Sequence, residues 1–186
     1  PVARVAQMLG LFFLACAVPL QLHGPVIAAI WAGMGLALAF ASSTRRSLWM
    51  EVSAYLLFLA ALVRLTAIAL PDIGPDPLPF GHGVFFTALL TGASMLAAAW
   101  LWKTASHRWA AAFGGHFVVL MTLIVETVRW GERGAPGGDK LIFVTAVISV
   151  ILSVYAAILV GVGVLARSRA NRLAGLVLLM IVVAKL

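Results

Sequence analysis

Six ionisable residues stand inside otherwise apolar stretches of this chain: Glu51, Arg64, His116, Glu126, Arg129 and Lys185. Apolar surroundings penalise the charged form; at the centre of a bilayer the cost is at least about 2.5–3.5 kcal/mol, so each group needs a partner, a wet cavity or a route to the interface. Glu51 lies one turn into an apolar segment that follows Arg45 and Arg46, which makes an ion pair with that turn or a proton or substrate site the two uses open to it. Glu126 and Arg129 are three residues apart and share one helix face. Arg64 and Lys185 sit toward the ends of their segments, where long side chains can snorkel to water. With Asp72 and Asp76, the residues Arg64, Lys185, Glu126 and Arg129 are placed to form an outward-facing charged cluster, suited to structural pairing or to an ion or substrate pathway.

His116 follows Gly114 and Gly115, with Ala112 four residues back. Small neighbours leave room for a flat macrocycle, so axial ligation of haem or a chlorophyll-type pigment stands beside a hydrogen bond across a close helix interface. A second axial histidine at depth is missing, because His23, His82 and His107 all fall in or next to expected loops. No nucleophile–base spacing and no metal-ligand motif accompanies the carboxylates, so the sequence assigns no catalytic residue and no metal, and it favours a non-enzymatic role.

The elements that must position these residues follow from composition. Of 186 residues, 63% are hydrophobic and 10% charged, against about 45–50% and about 25% in soluble domains; the mean hydropathy is +1.10. No Asp, Glu, Lys or Arg occurs between Arg4 and Arg45, between Asp76 and Lys103, or between Lys140 and Arg167. Runs of that length suit helices crossing a hydrocarbon core about 30 Å thick. They lack the alternation of a barrel strand, and helices satisfy their own backbone groups in lipid. The prediction is an all-α, polytopic membrane bundle forming one transmembrane domain over 1–186. Its spans are roughly 3–22, 25–42, 48–70, 83–103, 109–130, 141–166 and 170–186. The opening segment, with Arg4 before an apolar run, reads as a retained helix rather than a cleaved signal peptide, and both ends read as cut, at Pro1 and at Leu186.

Charge sorts the loops into two sets. SSTRRS, KTASHR and ARSRANR carry Arg45, Arg46, Lys103, Arg108, Arg167, Arg169 and Arg172 and no acid, whereas the other loops hold Asp72, Asp76, Glu132 and Asp139 against Arg133. The positive-inside rule puts the basic turns and the N-terminus in the cytoplasm. The net charge of +7 is thereby a matter of topology, and with no water-facing basic domain it does not point to nucleic acid. The lone Cys16 excludes an intrachain disulfide. Trp49, Trp102, Trp109 and Trp130 fall near span ends, as an interfacial aromatic belt requires. Gly33/Gly35, Gly161/Gly163 and Gly114/Gly115 lie within helices, where they serve close packing rather than phosphate binding.

WAGMGLALAFASSTRRSLWMEVSAYLLFLAALVRL, from Trp31, aligns with YAAILVGVGVLARSRANRLAGLVLLMIVVAKL, from Tyr155, across a three-residue gap, and the stretch AAAWLWKTASHRWAAAFGGHFVVL is a looser third copy. The unit is a helical hairpin with a basic turn, repeated in one orientation and therefore parallel. These hairpins, the ending SRANRLAGLVLLMIVVAKL and the stretch LIVETVRW before a Gly-rich loop resemble the bacterial predicted multi-spanning membrane proteins of the domain-of-unknown-function 2339 family. The resemblance is strongest over 123–186. It implies a multi-pass fold in the bacterial inner membrane, a chain that is the C-terminal part or a shortened relative of longer members, and no established activity. The family's hairpins often carry a Glu soon after Trp-Ala; here Trp31-Ala32 is followed by Gly33, Met34 and Gly35.

The functional expectation is a non-enzymatic membrane module that scaffolds or anchors a larger inner-membrane assembly, with lipid and other membrane subunits as partners. Three alternatives stay open. One is an ion or small-anion pathway through Glu51, Arg64, Glu126, Arg129 and Lys185, another is a pigment- or haem-associated subunit through His116, and the third is an enzyme acting on a lipid or polyprenyl-linked sugar.

Overall fold

A computed structural model of the chain describes residues 2–45, 47–69, 80–134 and 140–185. Among them every regular element is helical: α1 (Val2–Gln21), α2 (Val26–Arg45), α3 (Leu48–Arg64) with a π-helical turn (Leu65–Ala69) continuing it, α4 (Gly83–Leu101), α5 (Ala105–Gly134), α6 (Lys140–Leu165) and α7 (Arg169–Lys185). Five helical stretches among the described residues are long and apolar enough to cross a bilayer, Val26–Arg45, Leu48–Ala67, Gly83–Leu101, Ala105–Gly131 and Leu141–Leu165, while Leu9–Gln21 and Asn171–Ala184 are shorter apolar helices. This is the architecture of a membrane-embedded protein. The largest departure from the expected spans is α5, which starts four residues before 109 and ends four after 130.

The chain divides into two compact units, residues 1–122 and 123–186, with the boundary inside α5. In the first unit α2 is the central helix, packed on both α3 and α4. Its buried positions, Ala28, Ala32, Gly35, Ala39 and Ser42, recur every three or four residues, so one stripe of small side chains lets two neighbours approach. Phe58 of α3, almost wholly buried, fills the space left by Gly35: a Cβ there would lie 3.0 Å from the Phe58 ring. Gly92 of α4 and Gly115 of α5 press together likewise, and a Cβ on Gly115 would sit 2.9 Å from the Gly92 carbonyl oxygen. Phe58, Met95, Trp102 and Val118 provide the bulk of the core among Ala39, Ala54, Ala98, Ala99 and Ala111. The α1–α2 turn passes through Gly24 at φ +73°, a conformation that favours glycine, and Trp31 Nε1 donates to the Ala15 carbonyl at 3.0 Å to hold α1.

The second unit is built on the α6–α7 hairpin. A Cβ on Gly175 of α7 would lie 2.8 Å from the Ala156 carbonyl oxygen of α6, and one on Gly163 would lie 2.6 Å from the backbone nitrogen of Arg172. The turn closes with Ser168 N–H donating to the Gly163 carbonyl at 2.9 Å while Arg167 takes φ +50°, the Schellman arrangement. Trp130 and Phe143 meet edge to face at 5.3 Å. Of the paired glycines, Gly35, Gly114, Gly115 and Gly163 sit at contacts as expected, but Gly33 and Gly161 have nothing within 4 Å of a Cβ.

Candidate functional site

Glu51 enters the first turn of α3 and Tyr55 follows four residues later, so the two project from one face. His107 is the third residue of α5, and Trp102 is the residue on which α4 ends, leaving the helix at φ −77°, ψ 134°. These helix ends converge. His107 Nδ1 donates to Glu51 Oε2, and the Tyr55 hydroxyl donates to the His107 backbone carbonyl. Trp102 Nε1 donates to Ser42 Oγ at 3.1 Å, and Ser42 in turn donates to the Ala39 carbonyl at 2.8 Å. The Tyr55 and Trp102 rings lie 4.6 Å apart and both abut the His107 imidazole.

Burial makes this network consequential. Glu51 is 8% exposed, Trp102 2% and Ser42 1%, and a buried polar group that loses its partner costs about 1–3 kcal/mol. Above it opens a cleft of about 370 Å³ lined by Ser42, Ser43, Leu48, Glu51, Lys103 and Thr104. The hydroxyl protons of Ser42 and Ser43 are committed to the Ala39 and Phe40 carbonyls. Neither serine is therefore an activated nucleophile, and the arrangement is one of acceptors and a cation rather than a hydrolytic relay.

No known family, characterised protein or solved structure matches this chain. The site must accordingly be read from its own geometry. The bond Glu51 makes among the described residues is to His107 on another helix; Arg45 is exposed, and Arg46 lies outside the described residues. Trp102, expected in an interfacial belt, is a core residue, because its indole N–H has a buried acceptor and need not reach water; Trp49, Trp109 and Trp130 are partly exposed as a belt requires.

The other candidates are distributed elsewhere. Arg64 ends α3, half-buried, with Nε unpartnered among the described residues. Glu126, 3% exposed, has Arg129 Nη1 at 3.6 Å on the same helix in the second unit. Lys185 ends α7 and its side chain lies outside the described part, as do Asp72 and Asp76. His116 is half-buried in α5, but the room beside its glycines is taken: Met95 faces Gly114, and Leu96 with the Gly92 carbonyl faces Gly115. No slot for a macrocycle opens beside those two glycines, and no cluster of three or more His, Cys, Asp or Glu gathers among the described residues. His82 caps α4, its Nδ1 accepting from Phe85 N–H at 3.2 Å.

His107, Tyr55, Trp102 and Ser42 were not legible as site residues one by one. The signal lay in the topology: two basic turns bring the ends of α2, α3, α4 and α5 together, and Glu51, the carboxylate near that end among the described residues, then needs a partner from the neighbouring turn.

Proposed function

We propose that the chain is a non-enzymatic module of the bacterial inner membrane. In this reading seven transmembrane helices, built from parallel hairpins with their basic turns in the cytoplasm, scaffold or anchor a larger assembly of membrane subunits. The observation that carries it is the division of labour between surfaces. The ionisable groups Glu51 and Glu126 are turned onto partners inside their units, whereas α6, the most apolar span, has only 17% of its window buried. Its outward residues Val150, Val154 and Ile158 are more than half exposed, a face for lipid or for a neighbouring subunit.

The burial register supports the repeat. Laid from Trp31 against Tyr155, the buried positions 28, 32, 35 and 39 of α2 fall on 152, 156, 159 and 163 of α6, which are also buried. Past the three-residue gap, Ala54 and Ala61 fall on Gly175 and Val182, again buried, whereas the buried Ile27, Ser42, Glu51, Leu57 and Phe58 fall on positions 151, 166, 172, 178 and 179, which are not. Kinship with the domain-of-unknown-function 2339 family is proposed on the same hairpins.

A second reading, an ion or small-anion pathway, draws on the buried Glu51 carboxylate bordering an open cleft beside Lys103. The two are separated in proteoliposomes. As a scaffold, the purified chain conducts no more than empty vesicles, and Glu126→Gln lowers the stability of the bundle by about 1 kcal/mol. A robust flux that Glu126→Gln or Glu51→Gln abolishes in folded protein would replace the scaffold by the pathway.

A further inference from the structure

The cleft at the basic-turn end of the first unit has a polarity that selects its occupant. On its floor are acceptors: Ser43 has spent its hydroxyl proton on the Phe40 carbonyl, leaving its lone pairs, Ser42 is already engaged by the Ala39 carbonyl and the Trp102 indole N–H, and the Glu51 carboxylate has one oxygen held by His107 and a second oxygen to offer a donor. Such a floor takes a group with several N–H donors and positive charge. On its rim are the opposite features. The exposed Lys103 and the Thr104 hydroxyl stand on one side, and on the other α3 begins at Leu48 with Ser47 supplying no side-chain cap; the Met50 and Glu51 N–H groups bond the Ser47 carbonyl, which leaves those of Leu48 and Trp49 without an intrahelical acceptor. An uncapped helix start and an ammonium both favour a phosphate. The exposed Leu48 offers an apolar edge, and the cleft lies at the ends of four helices, the depth of the lipid head-groups in a membrane-embedded chain.

We propose that this cleft binds the head-group of a primary-amine phosphodiester lipid, the phosphatidylethanolamine class, with the ammonium on Glu51 and Ser43 and the phosphate between Lys103, Thr104 and the start of α3. The inference rests on the membrane reading and adds a ligand to it. Trimethylation of the amine removes every N–H donor, and replacing the amine by glycerol removes the charge, so both analogues lose what the floor recognises while keeping the phosphate.

The test is native mass spectrometry of the full chain in detergent with phosphatidylethanolamine, phosphatidylcholine and phosphatidylglycerol added in equal amounts. The expected result is retention of the ethanolamine lipid about tenfold above the other two, the size of one charge-assisted hydrogen-bond set. Glu51→Gln, which can still accept from His107, levels the three; Lys103→Ala, a surface change that leaves the core intact, lowers the ethanolamine and glycerol lipids by a similar factor and preserves their ratio. Equal retention of the three lipids by wild type, or unchanged retention in Lys103→Ala, overturns the site and leaves the membrane reading standing. Soluble glycerophosphoethanolamine is added as a competitor; displacement at concentrations equal to the lipid's overturns the assignment to lipid, and persistence of the bound lipid supports it.

Discussion

The two units handle the same problem, helices of low polarity that must stay together, in different ways. In the first, α4 has half of its spanning window buried, and the unit closes around polar groups that satisfy one another across helices. In the second, α6 has about a sixth of its window buried and touches α7 through backbone-to-backbone contact at Gly163 and Gly175. Without water to drive apolar surfaces together, association in lipid relies on close packing and on hydrogen bonds between helices. The first unit uses both; in the second, close packing at Gly163 and Gly175 stands beside the Glu126–Arg129 pair within α5. The first unit carries a built polar site, and α6 of the second is the span with the largest exposed share.

Substitutions can break or sharpen that contrast. The largest effect is expected at Gly115→Val, which drives a side chain into the Gly92 carbonyl and Leu96; detergent unfolding should show a loss of about 3 kcal/mol, the upper end for overpacking. Gly175→Val should do comparable damage to the hairpin of the second unit, and if it were silent the packing account of that unit would fail. Next comes Glu51→Ala, which strands the His107 imidazole beside Tyr55 and Trp102 and should cost about 2 kcal/mol, with Glu51→Gln recovering roughly half. Trp102→Phe keeps the ring packing but removes the donor to Ser42, for a loss of about 1 kcal/mol in thermal or chemical unfolding. The smallest effect is expected at Gly161→Ala: with nothing within 4 Å of the new Cβ, the gain in helix propensity should leave stability unchanged or raised by up to about 1 kcal/mol. His116→Leu, finally, should leave the visible absorbance of the purified protein unchanged.

Much of this fold is written in hydropathy. Apolar runs, three of them free of charge over more than a bilayer crossing, place the helices to within a few residues, and the SSTRRS, KTASHR and ARSRANR turns mark their ends. Two things were not legible. The extra turns of α5 carry polar residues, Ser106 and His107 at one end and Glu132 and Arg133 at the other, so a hydropathy pattern stops short of a helix that continues into the interface. The Glu51–His107 bond joins residues 56 apart in sequence, and local spacing pointed to the arginines next door. Charge sorting of the loops contained the information needed, since it placed the two turns on one side, but pairing a particular carboxylate with a particular imidazole required the helix ends in three dimensions. The same holds for Trp102, whose position near a span end suits the interface while its N–H is in fact consumed inside.

In the proposed arrangement lipid surrounds the helices and the three basic turns lie on a single face of it. The most direct measurement replaces the exposed Cys16 by Ala and places single cysteines at Ser43, Thr104 and Ser168, then labels each in sealed inverted and right-side-out vesicles with a membrane-impermeant maleimide. All three should react only from the cytoplasmic face. Reaction of any two from opposite faces, or a monodisperse folded chain recovered without detergent, would contradict it.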